Sequence, residues 1–157
     1  MIRVDGVKKF YGHFCALDSL SLKISDGSLF GFVGPNGAGK TTAIKIMTGI
    51  IYPDEGSVTI DDMRPEDDLI KYKSMIGYVP DAFGIYNNLK VSEYMEFFAA
   101  CLGLHGMESR KKTEQLLEYV DLSDRADFYV EALSRGMKQK LALARALIND
   151  PPILIMD

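Results

Sequence analysis

The stretch Gly34-Pro35-Asn36-Gly37-Ala38-Gly39-Lys40-Thr41 fits the pattern GxxxxGK[ST], between a short apolar run at 29–33 and a helix-like run at 40–47. At ordinary glycine usage, a random chain of this length shows that pattern only about once in a few hundred sequences. The flanking strand-then-helix character makes the stretch a phosphate-binding loop rather than a bare glycine-rich turn. Its residue types follow from the chemistry. Gly34, Gly37 and Gly39 permit backbone turns closed to residues with a Cβ, so successive N–H groups can point at phosphate oxygens. Lys40 supplies a mobile cation for the β and γ phosphates, the Thr41 hydroxyl is a ligand for Mg2+, and the next helix adds the partial positive charge of its N-terminus.

Working outward, the chain has 157 residues, 47% of them hydrophobic, which suits one domain or part of a larger one. Its longest nearly apolar stretch, 97–104, falls far short of the roughly 20 residues that span a bilayer, and residues 1–10 lack the apolar core of a signal peptide. Membrane entry by this chain itself is not expected. Cys15 and Cys101 form no CxxC, and His13 and His105 are the only histidines, so a structural zinc site is not expected and a reducing cytoplasm is. The formal net charge is −4. The basic clusters Lys71/Lys73 and 110–112 are interleaved with or followed by acids, so they read as solvated helix faces and no nucleic-acid partner is expected.

Residues 20–24 alternate with period two, Asp26-Gly27 offers a turn, and 28–33 is a continuous apolar run; together they predict a hairpin feeding a strand into the phosphate loop. Residues 2–11 predict another strand, and 56–60 continues the β character. After the helix at 40–47, the spacing predicts a turn at 53–56, a short helix over 66–73 and a strand over 75–79 stopped by Pro80. Alternating strands and helices imply an α/β fold. From Val91 the period becomes helical, with Val91, Tyr94, Met95, Phe98 and Leu102, then Thr113, Leu116, Leu117 and Val120, on core-facing positions. A last helix over 136–148 is broken by Asn149-Asp-Pro-Pro152, and 153–156 predicts a short buried strand ending in Asp157.

An aspartate at a strand tip downstream of a phosphate loop can hold a Mg2+-bound water, and Asp157 is placed for that role. Ser134, directly before the last helix, can cap it and offer a hydroxyl, while Gly136 and the following N–H groups make a second anion site. On these residues alone, an ordinary serine cap is the simpler reading.

Taken in order, GPNGAGKTT, LSRGMKQK and PPILIMD resemble the nucleotide-binding domain of ABC-type ATPases over the whole chain. The resemblance implies an α/β P-loop NTPase core with an N-terminal antiparallel β subdomain and a helical insertion. It divides the chain into a β patch and P-loop strand (1–33), a core (34–84), the insertion (85–135) and a signature helix with its strand (136–157). It implies that Gly34, Pro35, Asn36, Gly37, Ala38, Gly39, Lys40, Thr41 and Thr42 hold the phosphates of ATP, that Asp157 supports Mg2+, and that Tyr11 stacks on adenine. Ser134 and Gly136 match the signature that meets the γ-phosphate held by a second copy, in a head-to-tail dimer. Two departures stand out. Asp81 occupies the position of a family glutamine and can still interact with Mg2+ or a water, and the signature reads LSRGM, with Arg135 and Met137 in place of glycine and glutamine. Both, with the segment 84–93, resemble an exporter-type branch.

The implied function is the ATP-binding subunit of a membrane transporter, on the cytoplasmic face of the cell membrane. It would bind a membrane-spanning permease through the insertion and the loop 81–90, where Phe83, Ile85 and Tyr86 would be exposed. The catalytic set would be Lys40, Asp157 and Asp81. The family's glutamate follows the strand-end aspartate and its histidine lies on a later strand, so the resemblance predicts that this chain is a fragment with an incomplete sheet, inactive alone. The alternatives are a nucleotide-binding module without hydrolysis and a soluble ABC ATPase outside transport.

Overall fold

A computed structural model describes the chain except for Ala82, Phe83, Ile85 and Asn87. The described residues form two compact units, Met1–Met75 and Ile76–Asp157.

In the first unit, β1 (Ile2–Tyr11) is the middle strand of an antiparallel sheet, flanked by β2 (Phe14–Ile24) and β3 (Glu55–Ile60). Ile2, Val4 and Val7 are all buried, although two of these positions are even and one is odd. Strict alternation would put Val7 on the solvent face, and the strand avoids this with a register shift between Val4 and Val7 against β2. Helix α1 (Lys40–Met47) buries Ala43, Ile44, Ile46 and Met47. Helix α2 (Leu69–Ser74) starts at Asp68, whose side chain accepts from the Lys71 N–H, and ends shortly after Tyr72. Tyr72 is fully buried, and its hydroxyl donates to the Met47 carbonyl over 2.8 Å, satisfying a carbonyl at the end of α1.

Two expectations for this unit need correction. The hairpin predicted across Asp26-Gly27 closes instead across Gly12-His13, where Tyr11 pairs with Phe14 and β2 runs on to Ile24. Residues 28–33 form no strand, and the side chains of Leu29 and Val33 are fully exposed. An apolar run becomes a strand only when neighbours take up its N–H and C=O groups, and none of the described strands pairs with this one.

In the second unit, β4 (Ile76–Val79) and β5 (Ile153–Met156) form a parallel pair with Val79 opposite Met156. Three helices accompany them: α3 (Val91–Cys101), α4 (Gly106–Tyr119) and α5 (Arg135–Ala146). The helical spacing read from the sequence gives most of the core, but Leu102, just past the end of α3, is exposed. Val91, Tyr94 and Met95 of α3, Leu116 and Leu117 of α4, and Leu141 and Ala144 of α5 share one buried cluster. Arg145 spans two helices, donating to the Tyr94 hydroxyl at 2.9 Å while its guanidinium lies 5.0 Å from the centre of the Phe98 ring. A Cβ on Gly77 would come within 2.5 Å of the Ala146 carbonyl oxygen, so this glycine lets β4 lie directly on α5. The strand β5 forms as expected, but Leu154 and Met156 are exposed rather than buried. Its ladder has a partner only on the β4 side among the described residues, and burial of a parallel strand needs cover on both faces.

Candidate nucleotide site

The phosphate loop is built within the first unit. Gly37 and Gly39 both lie in the left-handed region, at φ +82°, and Gly39 immediately precedes α1. Around Gly37 there is open space, whereas a Cβ at Gly39 would sit 2.4 Å from the Ala16 carbonyl oxygen and 2.7 Å from Leu17 Cδ2. The loop therefore turns into its helix pressed against the first part of β2. Gly34 has no such requirement: its φ is not left-handed, and an added Cβ would meet only the Ala38 Cβ at 3.4 Å. The conformational need expected of three glycines is thus confined to two.

The Ala38 N–H donates to the Pro35 carbonyl at 3.2 Å, which closes the turn, and Ala43 N–H donates to Gly39 O at 2.8 Å to begin the helix. Among the described residues no side chain caps α1, and a helix N-terminus favours an anionic ligand. Lys40 folds back over the loop, with its Nζ donating to the carbonyls of Gly34 (2.7 Å) and Pro35 (2.8 Å). Pro35, Asn36, Gly37, Ala38 and Thr41 are exposed, and Thr42 is half-buried. An exposed glycine-rich loop that opens an uncapped helix, with a lysine bonded to neutral carbonyls, has the chemistry of an anion receptor.

Tyr11 is the last residue of β1 and is about half exposed, at 52%. Phe10 and Phe14, beside the same turn, are exposed as well, so the hairpin presents aromatic surface. One anchor there was missed in the sequence. The Asp54 carboxylate accepts from the Phe10 N–H at 2.7 Å and from Lys9 Nζ at 2.9 Å, and these two bonds hold its pKa below the usual carboxylate value. Only the fall of an aspartate into the turn at 53–56 could have hinted at it.

The remaining candidates lie in the second unit. Asp157 directly follows β5, its N–H donating to Val79 O at 3.0 Å, and Asp81 lies two residues past the end of β4. Because the strands are parallel, both acids stand at the same end of the pair, and both are exposed. Tyr78 feels both: burial raises its phenol pKa most, and the charges of Asp157 and then Asp81 raise it further. Tyr78 was not among the residues singled out from sequence, although the parity of two parallel strands was available to place it.

Ser134 is the N-cap of α5, its hydroxyl accepting from the Met137 N–H at 3.3 Å, and Gly136 is exposed in the first turn. The simpler reading of Ser134, a cap, is therefore realised. Of the expected docking residues, Tyr86 is half-exposed and its ring touches those of Tyr94, Phe97 and Phe98, while Phe83 and Ile85 lie outside the described residues.

A strand-rich unit carrying a phosphate loop that opens a helix, and a parallel pair tipped by acids, define a P-loop NTPase of mixed α/β fold with an antiparallel β subdomain. The ABC transporter family matches residues 17–157, and the chain belongs to that family, whose members bind ATP. It is 37% identical over 157 residues to the Nod factor export ATP-binding protein I of Ralstonia nicotianae, covering 100% of this chain and 49% of that protein. It is 35% identical to the linearmycin resistance ATP-binding protein LnrL of Bacillus subtilis, again over 100% of this chain and 50% of the other. The chain thus spans about half the length of the curated relatives it matches. Among solved structures, a dimeric post-hydrolysis state of the ATP-binding cassette MJ0796, bound to ADP and Pi, is similar with a TM-score of 0.90 at 32% identity. That match covers 100% of this chain and 73% of that one. Among the described residues, no helix is long and apolar enough to cross a membrane.

Proposed function

We propose that this chain supplies the ATP-binding face of an ABC transporter subunit, in which ATP bound and hydrolysed between two copies drives export through a membrane-spanning permease. The observation that carries the reading is the phosphate loop: two left-handed glycines, amides at the start of an uncapped helix, and Lys40 donating to two neutral carbonyls. A triphosphate would displace the Gly34 and Pro35 carbonyls from Lys40, exchanging neutral acceptors for charged ones, which form the stronger bonds. Gly34 to Thr42 would cradle the phosphates, and Tyr11 would stack its exposed ring on the adenine.

The acids fit a hard divalent cation, because Asp81 and Asp157 offer exposed carboxylate oxygens at one end of the β4–β5 pair. With Thr41 they would hold Mg2+, which when bound neutralises charge on the β and γ phosphates. Asp81 and Asp157 would also orient water, while Lys40 binds the γ-phosphate. Ser134 and Gly136 would face the nucleotide of the second copy. Export is favoured over import by the relatives named for Nod factor export and linearmycin resistance. The chain would then work at the cytoplasmic face of the membrane.

The test is nucleotide binding by the whole protein, followed with a fluorescent ATP analogue and Mg2+. Lys40→Ala should reduce affinity at least tenfold, as expected for losing a charge-assisted contact worth more than about 1.4 kcal/mol. Asp81→Gln should retain binding. Unchanged affinity in Lys40→Ala would remove the basis of the proposal, and steady-state phosphate release then decides between an ATPase and a module that binds without turnover.

A further inference from the structure

Within the first unit, the turn at Gly12-His13 places a second aromatic ring directly across from Tyr11. In the β1–β2 ladder, Lys9 stands opposite Leu17, Phe10 opposite Cys15 and Tyr11 opposite Phe14. Side chains alternate along β1, so the Lys9–Leu17 and Tyr11–Phe14 pairs share one face and the Phe10–Cys15 pair lies on the other. Leu17 identifies the first face: it is buried, and its Cδ2 lies 2.7 Å from the place of a Cβ on Gly39. Tyr11 and Phe14 therefore stand on the side of the hairpin that carries the phosphate loop, while Phe10 is on the opposite side. The step from Lys9 to Phe10 on β1 is matched by two residues on β2, so Ala16 is the extra residue of a bulge, and its carbonyl oxygen is the atom that a Cβ on Gly39 would meet at 2.4 Å. Phe14 precedes this contact by two residues, at most about 7 Å along the strand.

We propose that Phe14 is a second base-binding residue, so that the nucleobase is held by Tyr11 and Phe14 together. The inference rests on the reading of Tyr11 as the residue that stacks on adenine. Residues directly opposite each other in an antiparallel pair have Cβ atoms about 5 Å apart, so a purine, with its two fused rings, can touch both side chains. Phe14 is 62% exposed and Tyr11 52%, so neither ring is committed to the core and each gains burial when a base covers it. Contact between a base and an aromatic ring needs only the two π-faces, and no polar partner on Phe14 is required. A single exposed aromatic residue is ordinary on a protein surface. What singles out Phe14 is its place opposite Tyr11, on the loop-bearing face and two residues from the contact with Gly39. Phe10, also exposed but on the other face, is the internal control.

In the whole protein, calorimetric titration with Mg2+ and either ATP or inorganic tripolyphosphate separates base binding from phosphate binding. Phe14→Val removes the ring and keeps a side chain that favours a strand. It should weaken ATP binding about 5- to 10-fold, the effect of losing one base–aromatic contact, and leave tripolyphosphate binding at the wild-type value. Phe14→Tyr should bind ATP as the wild type does, and Phe10→Val should bind both ligands normally. Wild-type ATP affinity in Phe14→Val, with Tyr11→Val weakened, overturns the inference alone and leaves the exposed Phe14 ring to a protein contact. Equal losses of ATP and tripolyphosphate binding in Phe14→Val, or the same loss of ATP binding in Phe10→Val, also overturn it, because the hairpin then acts through the fold of the loop. Wild-type ATP affinity in Tyr11→Val overturns the underlying reading of Tyr11 instead.

Discussion

Replacing Gly39 with alanine tests the architecture of the phosphate loop more sharply than removing Lys40. Alanine at φ +82° carries the left-handed penalty, about 1–2 kcal/mol. The new methyl would also lie 2.4 Å from the Ala16 carbonyl oxygen and 2.7 Å from Leu17 Cδ2. Leu17 can turn aside, but the Ala16 carbonyl is backbone of β2, held between Cys15 and Leu17, which both pair with β1. Overpacking of this kind costs about 1–3 kcal/mol, giving about 2–5 kcal/mol in total. Gly37→Ala is the internal control, because it has the same φ and nothing within 4 Å of the added Cβ, and so carries only the backbone penalty of about 1–2 kcal/mol. For a unit of this size each kcal/mol lowers the melting temperature by about 4–8 °C. Gly39→Ala should therefore melt at least several degrees below Gly37→Ala. Should the loop lift off β2 to relieve the clash, melting would be spared and ATP binding lost, at least tenfold. Thermal melting with parallel fluorescent-nucleotide titration separates these outcomes. If Gly39→Ala matches Gly37→Ala in both melting and binding, the close approach of loop and strand is not what makes this glycine necessary.

Four further outcomes follow from other contacts. Tyr72→Phe leaves the buried Met47 carbonyl without its donor and should cost about 1–2 kcal/mol by denaturant titration. Burial pushes the Tyr72 phenol far above its ordinary value of 10, so the folded state holds this proton more tightly than the unfolded chain. Its contribution should be complete below pH 10 and lost above it, and Tyr72→Phe should flatten that alkaline decline. Asp54, whose pKa is lowered by the Phe10 N–H and Lys9, contributes above its ordinary 3.8 and loses that contribution as pH falls through the depressed value. Asp54→Asn should accordingly lower the melting temperature at neutral pH, with the gap from wild type closing in acid. Ser134→Ala should cost about 1 kcal/mol through loss of the α5 cap, and in the proposed dimer it should also slow ATP hydrolysis beyond what that destabilisation explains.

The helical half was legible because a period of 3.6 survives any change in surroundings. Val91, Tyr94 and Met95 face inward to pack against Leu116, Leu117 and Leu141, and that requires nothing beyond the helices themselves. Strands depend on partners, and there the reading failed in an instructive way. Residues 28–33 and 153–156 are both largely apolar, yet only the second group forms a strand, because β4 takes up its ladder. The hairpin was misplaced for a related reason. Asp26-Gly27 is the stronger local turn signal, but a hairpin needs two strands that pair, and β2 finds its partner in β1 along most of its length.

The candidate site divides along the same line. Its glycines and Lys40 were identified by a pattern of residue types, since their task is set by local backbone geometry and one mobile charge. Ser134 illustrates the limit of such a pattern: a serine one residue before a helix satisfies the capping rule and the family signature equally well, and its 3.3 Å bond to the Met137 N–H fulfils the first. The two roles need not compete. A cap fixes the serine's position at the mouth of α5, beside the exposed Gly136, where helix amides already favour an anion. The cap bond uses the hydroxyl oxygen as acceptor, leaving its proton available to a phosphate. Ser134→Asp separates the roles: aspartate caps as well as serine, so stability should persist, while its negative charge should oppose the second copy's nucleotide and abolish cooperative ATP turnover. Full turnover in Ser134→Asp would reduce Ser134 to its cap.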